Sequence, residues 1–433
     1  MKVEEVGGFT VERFLLALAL VLVASKVFGE IAERIKQPAV LGELVAGVLL
    51  GASVLAIVPS VPGRAGYETF HLLAEVGVAI LLFEIGLETD LKDMVRVGIS
   101  STLVALVGVA VPFFLGFVSV LAFEKFGILD DVNPAFTTLI AITAGATLTA
   151  TSVGITARVL SDMNRLHSEE ARIVLGAAVI DDILGLIILA VVSGLIDATK
   201  QGGEGEVSVV SIGIITLKAF GFLFVSILIG NLASRKLFDL INKMRVRGVL
   251  LLSALSFAFI FAYLAKLVGL APIVGAFAAG LVLARTNQFK LIEERLKPVA
   301  DVFTPIFFIT VGAAVDVRVF NPFVGENIPV LLIALVLFTV AVLGKVVSGW
   351  AVFKKDIKKS VVGVGMIPRG EVGLIFAQMG LISGVFDSRL FSAITVMVML
   401  TTFIAPPLLK ITFSERETAS IEAEVKTSGG HSK

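Results

Sequence analysis

The sequence predicts an all-α polytopic membrane protein of about thirteen transmembrane helices, built as an inverted-topology repeat. Three observations predict it. Of 433 residues, 57% are hydrophobic and only 17% charged, with a mean hydropathy of +0.99, so long apolar stretches recur from end to end. Lys and Arg concentrate in alternate loops. Three stretches of the first half are echoed, in order, in the second. The composition also excludes other classes. A net charge of zero gives no field for nucleic acid, and the absence of cysteine removes disulfides, thiolate metal sites and thiol chemistry.

Hydropathy and polar breaks place spans at 10–29, 38–58, 70–88, 95–123, 133–159, 169–196, 208–234, 247–267, 270–285, 299–316, 328–353, 360–384 and 388–412. Their lengths follow from the ~20 apolar residues that a helix needs to cross a bilayer. The first run is not followed by a small-residue cleavage site and reads as a retained helix. Loops after odd-numbered spans hold 21 basic residues, against 6 in loops after even-numbered spans. Positive charge stays on the cytoplasmic side, so the amino terminus is expected outside and the carboxyl terminus inside, in the plasma (inner) membrane.

PAVLGELVAGVLLG (38–51) is echoed by PIVGAFAAGLVLA (272–284), FEIGLETD (83–90) by FITVGAAVD (308–316), and SVGIT (152–156) by EVGLI (371–375). These matches align Gly42 with Gly275, Gly47 with Gly280, Gly86 with Gly312 and Asp90 with Asp316. Partners lie seven spans apart and so point opposite ways, with the seventh span as linker. Inverted repeats of this kind belong to secondary transporters, whose ion site lies near the midplane at the repeat interface. The paired fifth and twelfth spans are the least helix-like. TAGATLTATSVG (143–154) is crowded with Thr and Gly, and GVGMIPRGEVG (363–373) holds Pro368 between glycines and charges. Interrupted helices at corresponding places point to a binding site, because their freed polar groups are tolerated only in a wet or protein-buried cavity.

The chemistry centres on Asp181 and Asp182, in the middle of ARIVLGAAVIDDILGLIILAVVSGL (171–195). A charged carboxylate at that depth costs at least ~2.5–3.5 kcal/mol and marks an ion or proton path. Two side by side do not easily both stay charged without a cation or proton to share. Asp181 lies eleven residues beyond Glu170, ~17 Å along a helix. Lys345, in VLGKVVSGW, is nine residues before Lys354 and so reaches a comparable depth of ~13 Å. Adjacent helical residues point ~100° apart, so the two acids are expected to do different jobs. Asp181 is assigned to pair with Lys345, and Asp182 to face the cavity. Thr151 and Ser152, at the break in the fifth span, add oxygen ligands of the kind that hard cations such as Na+ take. A carboxylate for which a proton and a cation compete exchanges one for the other. A buried Asp–Lys pair that only joins two helices accounts for one acid and leaves the second unexplained.

IDDILGLIILA, with TATSVGITARVL upstream and PRGEVGLIFA downstream, resembles the monovalent cation:proton antiporter-2 family, most of all its electrogenic Na+/H+ antiporters of the NapA and NhaA type. The resemblance spans roughly residues 10–412. It implies the NhaA-like fold, with two crossing broken helices (133–159 and 360–384), and elevator-like transport by a homodimer in the lipid bilayer. Residues 10–88 and 247–316 would be scaffold and dimerisation helices, 95–196 and 328–412 the transport core, 208–234 the linker, and 413–433 a short disordered cytoplasmic tail. The resemblance makes Asp182 the ion and proton carrier with Asp181 beside it, Lys345 the partner lysine, and Thr151 and Ser152 the crossing-helix ligands. Paired aspartates with lysine imply electrogenic exchange of Na+, or Li+ as surrogate, for protons. These ions are cargo, and no cofactor is expected.

Glu371 and Arg369 flank the break in the twelfth span, as gating or pH-responsive groups or as an ion pair. Glu43, Glu75, Glu84 and Glu88 read as structural or access residues, Lys218 as a snorkelling lysine, and His71, His167 and His431 as solvated. VFTPIFFI (302–309) reads as lipid-facing or interhelical packing, and SRKLFDLINKMRVR (234–247) as a topology determinant that attracts anionic lipid. K+/H+ exchange in the same fold is the nearest alternative, since ligand chemistry barely separates the two ions. An intramembrane aspartyl protease needs carboxyls converging from different helices, whereas adjacent residues of one helix diverge, so no enzyme is expected. A channel is disfavoured by buried titratable groups and repeats.

Overall fold

Runs of Leu, Val, Ile and Ala fold as helices here because, away from water, the backbone satisfies its own hydrogen bonds only in a helix or a closed barrel. The structure, a computed structural model, describes residues 10–35, 37–60, 65–88, 98–129, 134–163, 165, 168–200, 209–242, 244, 246–354 and 356–428. Among the described residues there are fifteen α-helices and no strand. They are α1 (Val11–Arg34), α2 (Ala39–Leu50), α3 (Tyr67–Glu88), α4 (Ile99–Lys125), α5 (Pro134–Thr147), α6 (Val153–Asp162), α7 (Glu169–Lys200), α8 (Val209–Asn242), α9 (Val249–Leu267), α10 (Pro272–Leu283), α11 (Phe289–Ala313), α12 (Ile328–Ser348), α13 (Lys359–Gly365), α14 (Glu371–Ser383) and α15 (Ser388–Ser428). Eight helices among the described residues are long and apolar enough to cross a membrane. Five shorter apolar stretches, Ala39–Leu50, Phe136–Thr147, Leu217–Ser226, Pro272–Leu283 and Glu371–Ser383, accompany them.

Several boundaries differ from the sequence reading, the seventh span among them, which runs on from 234 to Asn242. The second span, expected over 38–58, is helical only to Leu50. Gly51 leaves the helix with φ −73° and ψ 175°, and the amides of Leu55, Ala56, Ile57 and Val58 fold back on the carbonyls of Leu49, Leu50 and Gly51. Hydropathy continues through this turn and hides it. The tenth span starts at Phe289 rather than 299, taking in Lys290, Arg295 and Lys297, which had been placed in a loop. A Glu293–Lys297 pair at 2.6 Å supports that solvated turn. The segment 413–433, expected to be disordered, is helical as far as Ser428. Its Glu, Arg and Ala are good helix formers, and no Gly or Pro interrupts it before Gly429. Asp90, His167 and His431 lie outside the described residues.

Glycines set the closest helix contacts, and these contacts come in pairs. A Cβ at Gly42 would strike the backbone of Phe28, and one at Gly275 that of Phe261. Gly47 abuts Ile309 and Gly312, while Gly280 abuts Phe83 and Gly86. Gly145 abuts Phe113, while Gly363 abuts Val346. The same contacts therefore recur between the two halves at nearly constant offsets. Filling one such position is overpacking against backbone, which costs about 1–3 kcal/mol. Gly47→Val and Gly280→Val are expected to lower the unfolding temperature of the purified protein by similar amounts, and strongly unequal losses would count against equivalence of the two positions.

The helices pack as two groups. α1, α2 and α3 pack on α9, α10 and α11. The second group is α4 to α7 with α12 to α15, and α8 touches both groups. In the 302–309 stretch, Phe307 and Phe308 are buried in the interior.

Candidate functional site

The two helix breaks meet. Between α5 and α6 the chain is non-helical over 148–152, and between α13 and α14 over 366–370. The amide of Ser152 donates to the Pro368 carbonyl at 2.8 Å. Close approach demands Gly370, where a Cβ would come within 2.7 Å of the Ser152 Cβ.

Interruption frees carbonyls, and each break is satisfied by different chemistry. Around the first, two buried cations serve three consecutive carbonyls. The Arg369 guanidinium donates to Leu148 and, at 3.3 Å, to Ala150, while the Lys345 ammonium donates to Thr149. A second arm of Arg369 reaches the Ala341 carbonyl of α12 at 3.2 Å, one turn before Lys345. Positive charge suits this place, since the carboxyl end of α5 carries partial negative charge. Around the second break, hydroxyls do the work. Thr156 donates to Gly365 at 2.7 Å, Thr151 to Met366 at 3.3 Å, and Thr402 to Arg369 at 2.5 Å.

α7 carries the paired acids past this junction. Asp181 and Lys345 are both fully buried, with Lys345 Nζ at 3.3 Å from Asp181 Oδ2 and 3.4 Å from Oδ1. The Thr151 hydroxyl lies alongside Asp181. Asp182 is half-buried, and among the described residues it makes no hydrogen bond or ion pair. The two acids thus stand in unlike surroundings, one paired with a lysine and the other, among the described residues, paired with no cation.

Ser152, Arg369, Gly370 and Glu371 line a cavity of about 230 Å³, closed on its far side by Pro38, Leu41 and Leu44 of the other helix group. Glu371 is half-buried and close enough for its charge to act on Asp182. Among the described residues Arg369 forms no ion pair with Glu371, and its partners are carbonyls. Glu43 is buried within electrostatic range of Glu371. Glu84 is half-buried, while Glu88 and Lys218 are exposed. His71 pairs with Glu75 at 3.4 Å, far along the chain from the aspartates. The sequence reading missed Thr156 and Thr402 as partners of the second break.

Residues 17–415 match the model of a family described as sodium/hydrogen exchanger, transmembrane. The high-affinity Na+/H+ antiporter NhaS3 of Synechocystis is 44% identical, covering 94% of this chain and 92% of that protein. The Na+/H+-K+ antiporter GerN of Bacillus cereus is 35% identical over 94% of this chain and 98% of its own length. Among solved structures, the sodium proton antiporter MjNhaP1 from Methanocaldococcus jannaschii shares the fold, with a TM-score of 0.67 at 18% identity over 93% of this chain and 97% of that one.

Proposed function

The chain belongs to the sodium/hydrogen exchanger family, and from that premise we propose that this multi-pass membrane protein exchanges Na+ or Li+ for protons at Asp182, electrogenically and by an elevator motion. One observation carries the site: of two adjacent intramembrane aspartates, Asp181 holds Lys345 at 3.3 Å while Asp182 pairs with no cation among the described residues. An acid in that position takes a proton or a small cation, and either one relieves the cost of its bare charge. Thr151 and Ser152 supply neighbouring oxygens, and Glu371 faces the approach. Water completes the shell of a hard cation. Electrogenic exchange moves two protons against each cation: one is carried on Asp182, and the second is held within the Lys345–Asp181 pair, which gives it up when Na+ is bound and takes it back when Na+ leaves.

The finer architecture follows the same reading. Eight long helices and five shorter apolar stretches add up to thirteen passes if α2 and α10, each twelve residues, cross with the help of their flanking turns. The paired glycine contacts support an inverted repeat, and the meeting breaks support crossing broken helices. The packing of two helix groups with a cavity on their boundary supports a transport core sliding against a scaffold. The apolar residues exposed on α1 and on α9, among them Leu15, Leu16, Phe259 and Ile260, offer a surface for lipid and for the second copy of a homodimer. The surplus of basic residues in alternate loops supports an outside amino terminus in the cell membrane. No resident cofactor is part of this proposal.

The name of GerN includes K+, so K+/H+ exchange is the reading to separate. Purified protein in liposomes, driven by gradients of Na+, Li+ or K+ with and without an ionophore that clamps the potential, tests both. Na+ and Li+ are expected to drive proton flux, faster when the potential is clamped. Flux with K+ alone would transfer the assignment to K+, and cation flux without protons would overturn exchange.

A further inference from the structure

A second cavity, of about 470 Å³, opens on the same boundary between the helix groups and takes in His71, Glu75, Lys266, Phe307, Ser193 and Gln378. It shares no lining residue with the first. The first cavity is bounded by the start of α2 at Pro38 and Ala39, the second by the start of α10 at Ala271 and Pro272. These are repeat-related positions, so the two cavities are counterparts on opposite faces of the membrane.

Helical register ties the second cavity to the ion site. Ser193 lies eleven residues after Asp182 on α7, a rotation of only ~20° and a rise of ~17 Å. Gln378 lies seven residues after Glu371 on α14, again within ~20° and at a rise of ~10 Å. Both polar residues therefore continue the faces that carry the acids. Between Asp182 and Ser193 the face of α7 is closed by Leu186 and Leu189, which are 1% and 0% exposed. Gln378 Oε1 is buried and has no hydrogen-bond partner among the described residues, and a polar oxygen left so marks the place of a water or an ion. At the mouth, the Glu75 carboxylate, 60% exposed and paired with His71 at 3.4 Å, shares the lining with Lys266, so the mouth carries both signs and attraction for a cation rests on the oxygens deeper in.

We propose that Gln378 Oε1 and the Ser193 hydroxyl form a second, transient site for a partly hydrated alkali cation, the last polar station before the leucine seal on the face opposite the basic loops. Resting on the antiport reading, it names the residues that set the apparent affinity for Na+ from that face alone. Loss of the Gln378 oxygen removes one ligand to the incoming cation. The other face loads through the first cavity, which Gln378 does not line.

The chain contains no cysteine, so single cysteines report access without background. In sealed, oriented vesicles holding full-length protein, Gln378→Cys and, as a second variant, Ser193→Cys are expected to react with a membrane-impermeant cationic methanethiosulfonate added on the face opposite the basic loops, and Na+ should slow the reaction. Gln378→Leu is expected to raise the KM for Na+ on that face about tenfold, the worth of one lost polar ligand, and to leave the KM on the other face unchanged. Labelling only from the basic-loop face, or none where Glu75→Cys reacts, overturns the proposal. So does a Gln378→Leu protein in which maximal flux falls and both KM values stay as they were. Absence of Na+-coupled flux in the unmodified protein would instead sink the antiport reading, leaving the labelling result to stand by itself.

Discussion

Asp182→Asn protein in liposomes is expected to show no Na+-driven proton flux and no Na+ binding, while unfolding at the same temperature as the unmodified protein or above it. The two halves of that expectation have one cause. Asp182 makes no hydrogen bond or ion pair among the described residues, so amide substitution breaks nothing and removes a charge that costs at least ~2.5–3.5 kcal/mol in the middle of a transmembrane helix. The cation loses its anionic ligand at the same stroke, and the proton its acceptor. Asp181→Asn, one residue earlier, is expected to behave differently. It leaves the fully buried Lys345 ammonium beside a neutral amide, and removing one partner of a buried pair costs about 3–5 kcal/mol. Its unfolding temperature should fall, with loss of potential-dependent coupling. Calorimetry and flux on both variants check this. Residual coupled flux in Asp182→Asn, or equal destabilisation of the two variants, would remove the division of labour between the acids.

The pairing of Asp181 with Lys345 was legible in part from the sequence, and the reason is depth. A carboxylate pair amid apolar residues and a single lysine inside VLGKVVSGW stand out because almost nothing else charged lies there. The glycine echoes were legible too, since close backbone contact leaves no other residue type. Helix length was less so: hydropathy runs on through Val54, Leu55, Ile57 and Val58, although the chain turns at Gly51. The partners of the breaks could not be read at all. Arg369 and Leu148 are 221 positions apart, and which carbonyl a buried guanidinium takes is decided only by how the helices cross. Threonines illustrate the limit. Thr143 and Thr147 return their hydroxyls to carbonyls four residues earlier in their own helix, whereas Thr156 and Thr402 send theirs across to the second break. Nothing local distinguishes the two kinds.

Arg369→Leu is expected to be among the most destabilising substitutions in the site, with a loss of about 3 kcal/mol or more and little flux from whatever protein folds. The side chain is 1% exposed, and its guanidinium holds the carbonyls of Leu148, Ala150 and Ala341. Removing it orphans backbone acceptors away from water, at about 1–3 kcal/mol each, and leaves Lys345 as the remaining polar tie of α12 to the first break among the described residues. Lys345 then loses its setting, because the Ala341 carbonyl lies one turn before it and its own ammonium leans on Thr149 between the two orphaned carbonyls. Arg369→Lys separates charge from geometry. A lysine keeps the positive charge near the end of α5 but is a point donor, unable to span three carbonyls as a planar fork does. If geometry is what matters, Arg369→Lys recovers only part of the lost stability and shows weakened Na+ binding, since the displaced first break carries Thr151 and Ser152. If charge alone matters, Arg369→Lys unfolds and transports like the unmodified protein, and the fork has no special place in the site.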